Sequence, residues 1–312
     1  MFGAACLAAN AQATNYPGKP VRLVVPFAAG GPIDALARAL GAKLAAVTGQ
    51  QVVIDNKPGG GSIIAWDHVA KSAPDGHTLL VAGIGSRTIL PYVATLPFDP
   101  AKDLVGITRL ADAANIFVAT PKSGIKSMAD LVAKAKAQPG QLSIAIPAPA
   151  TVTHFAATLL QRDAGITLNE VPYKGGAPAA NAVMAGEVDL MTADIGAVLP
   201  QIQGGRIVAV AAGSAQRLPM LPLVPTATEA GFPSIVAVNV YGLFAPAGTP
   251  KELVARINTL AADAIRSTEV REQLLKLGMM VETSTPEAFE TYLREQTVIW
   301  SPLAKASGVR LN

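Results

Sequence analysis

The residues of this 312-residue chain that could do chemistry sit in short turns following apolar, β-branched runs. The first turn is Pro26-Phe27-Ala28-Ala29-Gly30-Gly31-Pro32-Ile33-Asp34, directly after Val21-Arg22-Leu23-Val24-Val25. Gly30 and Gly31 let the backbone approach a bound group. Pro32 suits the first turn of a helix, where no N–H is needed. The free amides of such a turn, together with the helix dipole, attract an anion. Contact is therefore expected at Gly30, Gly31, Pro32 and Ile33. Asp34 either complements the dipole or accepts a hydrogen bond from a ligand or an ordered water.

Other turns of the same kind follow. Gly83-Ile84-Gly85-Ser86-Arg87-Thr88 puts a guanidinium in a small glycine-rich loop, and Arg pairs bidentately with carboxylate. Ser86, Arg87 and Thr88 are therefore candidate contacts. Pro147-Ala148-Pro149-Ala150-Thr151-Val152-Thr153-His154 offers Thr151 as a helix N-cap. Ala150, Thr151, Thr153 and His154 make up its candidate contacts, with hydroxyls as uncharged donors. Asp194 and Ile195, in Thr192-Ala193-Asp194-Ile195-Gly196, end a strand and start a helix, so Asp194 is a cap or a ligand contact. Tyr173 ends a further strand and joins the candidate set.

Catalytic constellations are weaker. Of the three histidines, His68 reads as mid-helix, His77 lies in a turn, and His154 at a helix start is the only candidate base. The Ser86 loop is not a Gly-x-Ser-x-Gly elbow. Gly59-Gly60-Gly61-Ser62-Ile63-Ile64 lacks the last glycine of a dinucleotide fingerprint and reads as a tight helix entry, and there is no P-loop. No cluster has metal-ligand spacing, so no metal or cofactor is expected. The single cysteine, Cys6, excludes disulfide scaffolds and Cys-based metal sites. Net charge is +3 with basic residues scattered singly, and aromatics are 5%, which argues against nucleic acid.

The elements positioning these turns alternate. Strand patterns at Val21–Val25, Gln51–Ile54 and Thr78–Ala82 are separated by helical patterns at Pro32–Val47 and Ser62–Lys71. A second set runs through strands near Ile116–Ala119, Gln141–Ile146, Asn169–Tyr173, Val188–Ala193 and Ile207–Ala212. Between them come helices Met128–Ala137, Thr153–Asp163 and Pro178–Met184. The chain is extended again over Val236–Phe244, and helices Pro250–Arg266 and Pro286–Ser301 close it. Short buried strands alternating with helices predict α/β architecture with mainly parallel, doubly wound sheets. Two lobes are expected, 14–118 plus 241–312 and 119–240, with a ligand cleft between them. Residues 1–13, ending Ala11-Gln12-Ala13, read as a signal-peptide remnant. No later stretch is suited to span a bilayer, so direct membrane insertion is not expected.

At these same turns the chain resembles the tripartite tricarboxylate transporter substrate-binding proteins, the Bug family. The similarity runs in order from about Tyr16 to the end. Its segments include Tyr16-Pro17-Gly18-Lys19-Pro20, Pro26–Gly31 with Asp34, and Asp55-Asn56-Lys57-Pro58-Gly59. Further along are Ala73-Pro74-Asp75-Gly76, Leu96-Pro97-Phe98-Asp99-Pro100, Val171-Pro172-Tyr173-Lys174-Gly175 and Gly186-Glu187-Val188-Asp189. Ala245-Pro246-Ala247-Gly248-Thr249-Pro250 is among the last.

The resemblance implies a two-lobe, type II periplasmic-binding-protein (Venus flytrap) fold. It also implies export to the periplasm and capture of a small carboxylate for the permease subunits of a tripartite transporter. The Pro-Phe-x-x-Gly-Gly loop of such proteins holds a ligand carboxylate, which carries over to Phe27, Gly30, Gly31 and Asp34. A monomer without enzymatic activity is expected. Departures at Pro32-Ile33, at the Pro147–Thr151 loop and at Arg87 favour an aromatic mono- or dicarboxylate over citrate. The competing readings are a hydrolase or transferase using Ser86 or His154, and a sensory module coupled to a membrane kinase.

Overall fold

The computed structural model describes residues 16–311; the expected signal remnant, with Cys6, lies outside the described residues. In chain order the elements are β1 (Val21–Val25), α1 (Pro32–Thr48), β2 (Val52–Asn56), α2 (Ile63–Ala70), β3 (Thr78–Gly83), α3 (Gly85–Thr88) and β4 (Leu104–Ala119). Then come α4 (Met128–Ala137), β5 (Ser143–Ile146), α5 (Val152–Ala164), β6 (Asn169–Pro172), α6 (Gly176–Ala185), β7 (Leu190–Asp194), α7 (Ile195–Gln203) and β8 (Val208–Ala212). The chain ends through β9 (Val238–Pro246), α8 (Lys251–Arg266), α9 (Thr268–Lys276), β10 (Met279–Val281) and α10 (Pro286–Ala306).

Two compact units result. Among the described residues the first holds 16–112, 240–275 and 280–311; the second holds 113–239 and 276–279. The sequence reading put the boundaries near 118/119 and 240/241. It missed the earlier one because β4 is a continuous, mostly buried strand in which nothing marks a change of unit. The short return at 276–279 packs by close backbone approach, because Gly196 leaves room for the Leu277 carbonyl.

In the first unit, β1 pairs in parallel with β2 (Val21↔Val52 to Val25↔Asn56) and with β3 (Leu23↔Leu79). Four of the five β1 residues are buried and only Arg22 is exposed, which is why the strand reads as an apolar run rather than an alternation. Helix α1 starts at Pro32, buries Leu36, Leu40 and Leu44, and stops at Gly49, whose left-handed φ of 70° suits glycine. Gly41 lets α1 lie close to the sheet: a Cβ there would come within 3.1 Å of Val52 and Ile54 side chains. Beyond β3 the sheet turns antiparallel, with Leu80↔Phe244 and Gly83↔Tyr241 pairing β3 to β9. The sheet is thus mixed, because β9 returns beside a parallel core. The aromatic centre of this unit is Trp66, Phe244 and Phe289, with ring centroids 4.9 and 5.4 Å apart. Phe289, from α10, occupies space left open by Gly106 and Gly242.

In the second unit β5 pairs in parallel with β6 and β7, while β7 and β8 run antiparallel to β4. The core gathers Ile116 and Val118 of β4, Met191 and Ala193 of β7, and Ala179, Val183, Ile195 and Val198 of α6 and α7. Helices α4 and α5 start at serine and threonine caps: Ser127 accepts from the Asp130 amide and Thr151 from the His154 amide. Several elements differ from expectation, among them β4, which begins at Leu104, and β10. The Gly83–Thr88 stretch, read as a loop, coils into α3 from Gly85. Helix α9 was not anticipated, since it buries only Val270 and Leu274.

Candidate functional site

The carboxyl ends of β1, β2 and β3 share one edge of the first unit's parallel sheet, so the turns that follow them gather there. In the turn after β1, Gly30 takes a left-handed φ of 90°. Its amide donates to Asp34 Oδ2 (2.9 Å), which also accepts from Arg38 Nε (2.8 Å). Asn56, at the end of β2, donates to Asp34 Oδ1 (3.0 Å) and to the Phe27 carbonyl (3.0 Å). Asp34 is therefore a clamp that shapes the turn, and both of its oxygens are occupied within the protein. Burial works against its ionisation, but the hydrogen bonds from Arg38, Gly30 and Asn56 and the Arg38 charge outweigh that and hold its carboxyl below the ordinary range. This network gives Asp34 the dipole-complementing role among the two the sequence offered, and it commits the Gly30 amide to Asp34. Ile33 also turns inward, with its side chain buried in the core. The amides of Ile33 and Asp34 lie in the first turn of α1, where a helix provides no acceptor. Phe27 and Pro32 are half-buried beside exposed Ala28 and Ala29.

In the turn after β3 the expected ligand fork has an internal partner. Arg87 is 9% exposed. Its guanidinium makes a two-pronged pair with Glu290 of α10, at 3.0 and 2.6 Å. Glu290 Oε1 also accepts from the Gly106 amide at 2.7 Å. The fork that the sequence offered to a ligand carboxylate is filled by a carboxylate of the same chain, 203 residues away. Thr88 is fully buried and donates to the Ile84 carbonyl, so it too is internal. Ser86 Oγ lies 2.7 Å from Ser62 Oγ, in the turn after β2.

In the second unit the candidates divide likewise. His154 is buried: its Nδ1 accepts from the Ala150 amide (3.1 Å) and its Nε2 lies 3.0 Å from Glu170 Oε2. An amide donating to Nδ1 places the ring proton on Nε2, which donates to Glu170. That hydrogen bond is the main reason the Glu170 carboxyl is held below its ordinary value, against an opposing effect of burial. Both ring nitrogens are thus engaged, Nδ1 with the amide of Ala150, which has a left-handed φ of 58°, and Nε2 with Glu170. Thr151 donates to the Ala148 carbonyl as well as capping α5. Asn239 bridges two candidates, donating to Thr153 Oγ1 (2.7 Å) and to Asp194 Oδ1. Ile195 is fully buried, and Tyr173 packs partly buried against the core.

Sequence reasoning missed Arg38, Asn56, Asn239 and Glu290, and read Ser62 only as part of a tight helix entry. Two of these left a signal. Arg38 is four residues beyond Asp34 on a helix, a spacing that brings side chains together, and Asn56 sits in the Asp55–Gly59 segment that carries the resemblance. Asn239 and Glu290 left none, since only the fold brings them to their partners. Among the described residues no cluster of His, Cys, Asp and Glu could hold a metal ion. No helix there is long and apolar enough to cross a membrane.

The model of the tripartite tricarboxylate transporter family receptor matches residues 36–309. The chain belongs to this receptor family. It is 32% identical over 307 residues to Protein BugT of Bordetella pertussis, covering 98% of this chain and 94% of the relative. The structure of the Rhodopseudomonas palustris protein Rpa4515 with adipate is similar at a TM-score of 0.90 and 32% identity, over 95% of this chain and 99% of that one. MatC from the same organism, with bound malate, has a TM-score of 0.87 and 31% identity, over 93% and 100%. The protein is a solute-binding protein of the periplasmic type, with the α/β fold of these receptors. The family description names a transporter receptor, and the two R. palustris structures hold adipate and malate.

Proposed function

We propose that this protein captures a small carboxylate by seating a carboxyl group on the backbone amides at the start of α1, and delivers it to the permease subunits of a tripartite transporter. One observation carries the reading. The Asp34 charge is matched by Arg38 and both its oxygens are filled, so the positive end of α1 is left for an anion. Each interaction of a charge with that dipole contributes about 0.3–1 kcal/mol. The amides add hydrogen bonds to a charged acceptor, worth about 1.5–3 kcal/mol each. The ligands named for the R. palustris structures, adipate and malate, support the class.

The finer expectation, an aromatic mono- or dicarboxylate, now stands on less. Arg87 is committed to Glu290 and Ile33 faces the core. What supports an apolar ligand body is the surface of the turn itself: Phe27, Ala28, Ala29 and Pro32. A role as an enzyme has little support, because Ser86 pairs with Ser62 and His154 with Ala150 and Glu170. Neither is set up as a nucleophile beside a base. The protein acts as an exported, periplasmic monomer in this reading.

A thermal-shift series with adipate, malate, benzoate, phthalate and citrate tests the proposal. Binding to the native state stabilises it by about 2.7 kcal/mol at a ligand concentration of 100 times Kd. If none of the five acids raises the melting temperature, the carboxylate reading fails. If citrate alone does, the apolar body is wrong.

A further inference from the structure

The turn after β2 holds a serine in a conformation that serine resists. Gly59, Gly60 and Gly61 all have positive φ, and Ser62 continues the run at φ 86° and ψ −8°. A side chain in the left-handed region is strained, and such strain persists where something else over-determines it. Ser62 also occupies the N-cap position of α2, yet its hydroxyl accepts no hydrogen bond from that helix. A serine there ordinarily caps. Instead its hydroxyl is turned to Ser86 Oγ, 2.7 Å away. The pair therefore joins the turn after β2 to the turn after β3. The Asn56–Phe27 hydrogen bond joins the turns after β2 and β1 at the same sheet edge.

Two hydroxyls at this distance share one hydrogen. Each carries one O–H, so whichever donates, the other keeps a hydrogen. Neither hydroxyl has another hydrogen-bond partner among the described residues. We infer that the Ser62–Ser86 pair is a donor that contacts an oxygen of the bound acid, a specificity-determining element beside the amides of α1. This rests on the carboxylate reading above. The strain at Ser62 is then the cost of holding a donor that glycine could not supply. An oxygen-bearing ligand gains from this donor, and an apolar group in its place would leave it unpaired.

The test uses the full chain and whichever of adipate, malate, benzoate and phthalate shifts the wild-type melting temperature most. Isothermal titration gives the affinity, and circular dichroism checks the fold. Ser86→Ala and Ser62→Ala should each weaken that acid about tenfold or more, or about 1.4 kcal/mol. Ser62→Gly relieves the left-handed strain while removing the hydroxyl. It should melt no lower than wild type without ligand, yet lose the same affinity. A merely structural Ser62 would leave affinity unchanged in Ser62→Gly, and that result overturns the inference while wild-type binding upholds the carboxylate reading. Should Ser62→Ala fail to fold, Ser62→Gly still decides. Should wild type bind none of the four acids, both readings fall together.

Discussion

Replacing Arg87 with Ala separates a ligand contact from a structural pair. In the structure its guanidinium faces Glu290 through two hydrogen bonds and is 9% exposed. Breaking a buried ion pair by removing one partner costs about 3–5 kcal/mol, because the other charge is left without compensation. The Glu290 side chain keeps 21% of its exposure, so water softens the loss and about 3 kcal/mol is expected. At about 2–4 °C per kcal/mol for a unit of this size, the melting temperature falls by roughly 6–12 °C. Tryptophan fluorescence is a suitable assay, since both tryptophans of the chain, Trp66 and Trp300, lie in the first unit. Arg87→Met combined with Glu290→Leu should melt no lower than Arg87→Ala, as apolar replacement of a buried pair is often nearly neutral. About 1–3 kcal/mol should stay lost, because the Gly106 amide no longer has its Glu290 acceptor. Affinity for the bound acid should change little in the double variant. An unchanged melting temperature for Arg87→Ala, with dicarboxylate affinity down tenfold or more, would refute this reasoning and restore Arg87 to the ligand.

Two further outcomes follow from the same networks. His154→Ala leaves the Ala150 amide without its acceptor and should destabilise the second unit by about 1–3 kcal/mol while carboxylate binding persists; loss of a measurable turnover with the fold intact would instead support an enzyme. The Asp34 carboxyl is held below its ordinary value, so its folded pKa lies under the unfolded value of about 3.9. Its contribution is present above about pH 4 and is lost as pH falls through the folded value. Asp34→Asn should flatten that part of the acid limb in a pH series of melting temperatures, and an identical limb in both proteins would show that Asp34 is not the clamp described.

Much of the fold was legible because its strands are short, buried runs and its helices carry a clear apolar face. Val21–Val25 and the Leu36, Leu40, Leu44 stripe of α1 required no tertiary knowledge. The loops that follow the strands were legible too, since glycine and proline mark them. What was not legible was the direction of β9 and β4, which depends on how distant segments return beside the parallel core.

The sequence by itself determined the class of the protein and the places where chemistry could sit, because both follow from local spacing and from ordered motifs along the chain. Only the tertiary structure decided which side chains are available there. Whether Arg87 meets a ligand depends on Glu290, and whether Asp34 does depends on Asn56 as well as on Arg38. A charged or hydrogen-bonding group that leaves water must find a partner, and the partners that satisfied Arg87 and His154 were brought to them by the fold.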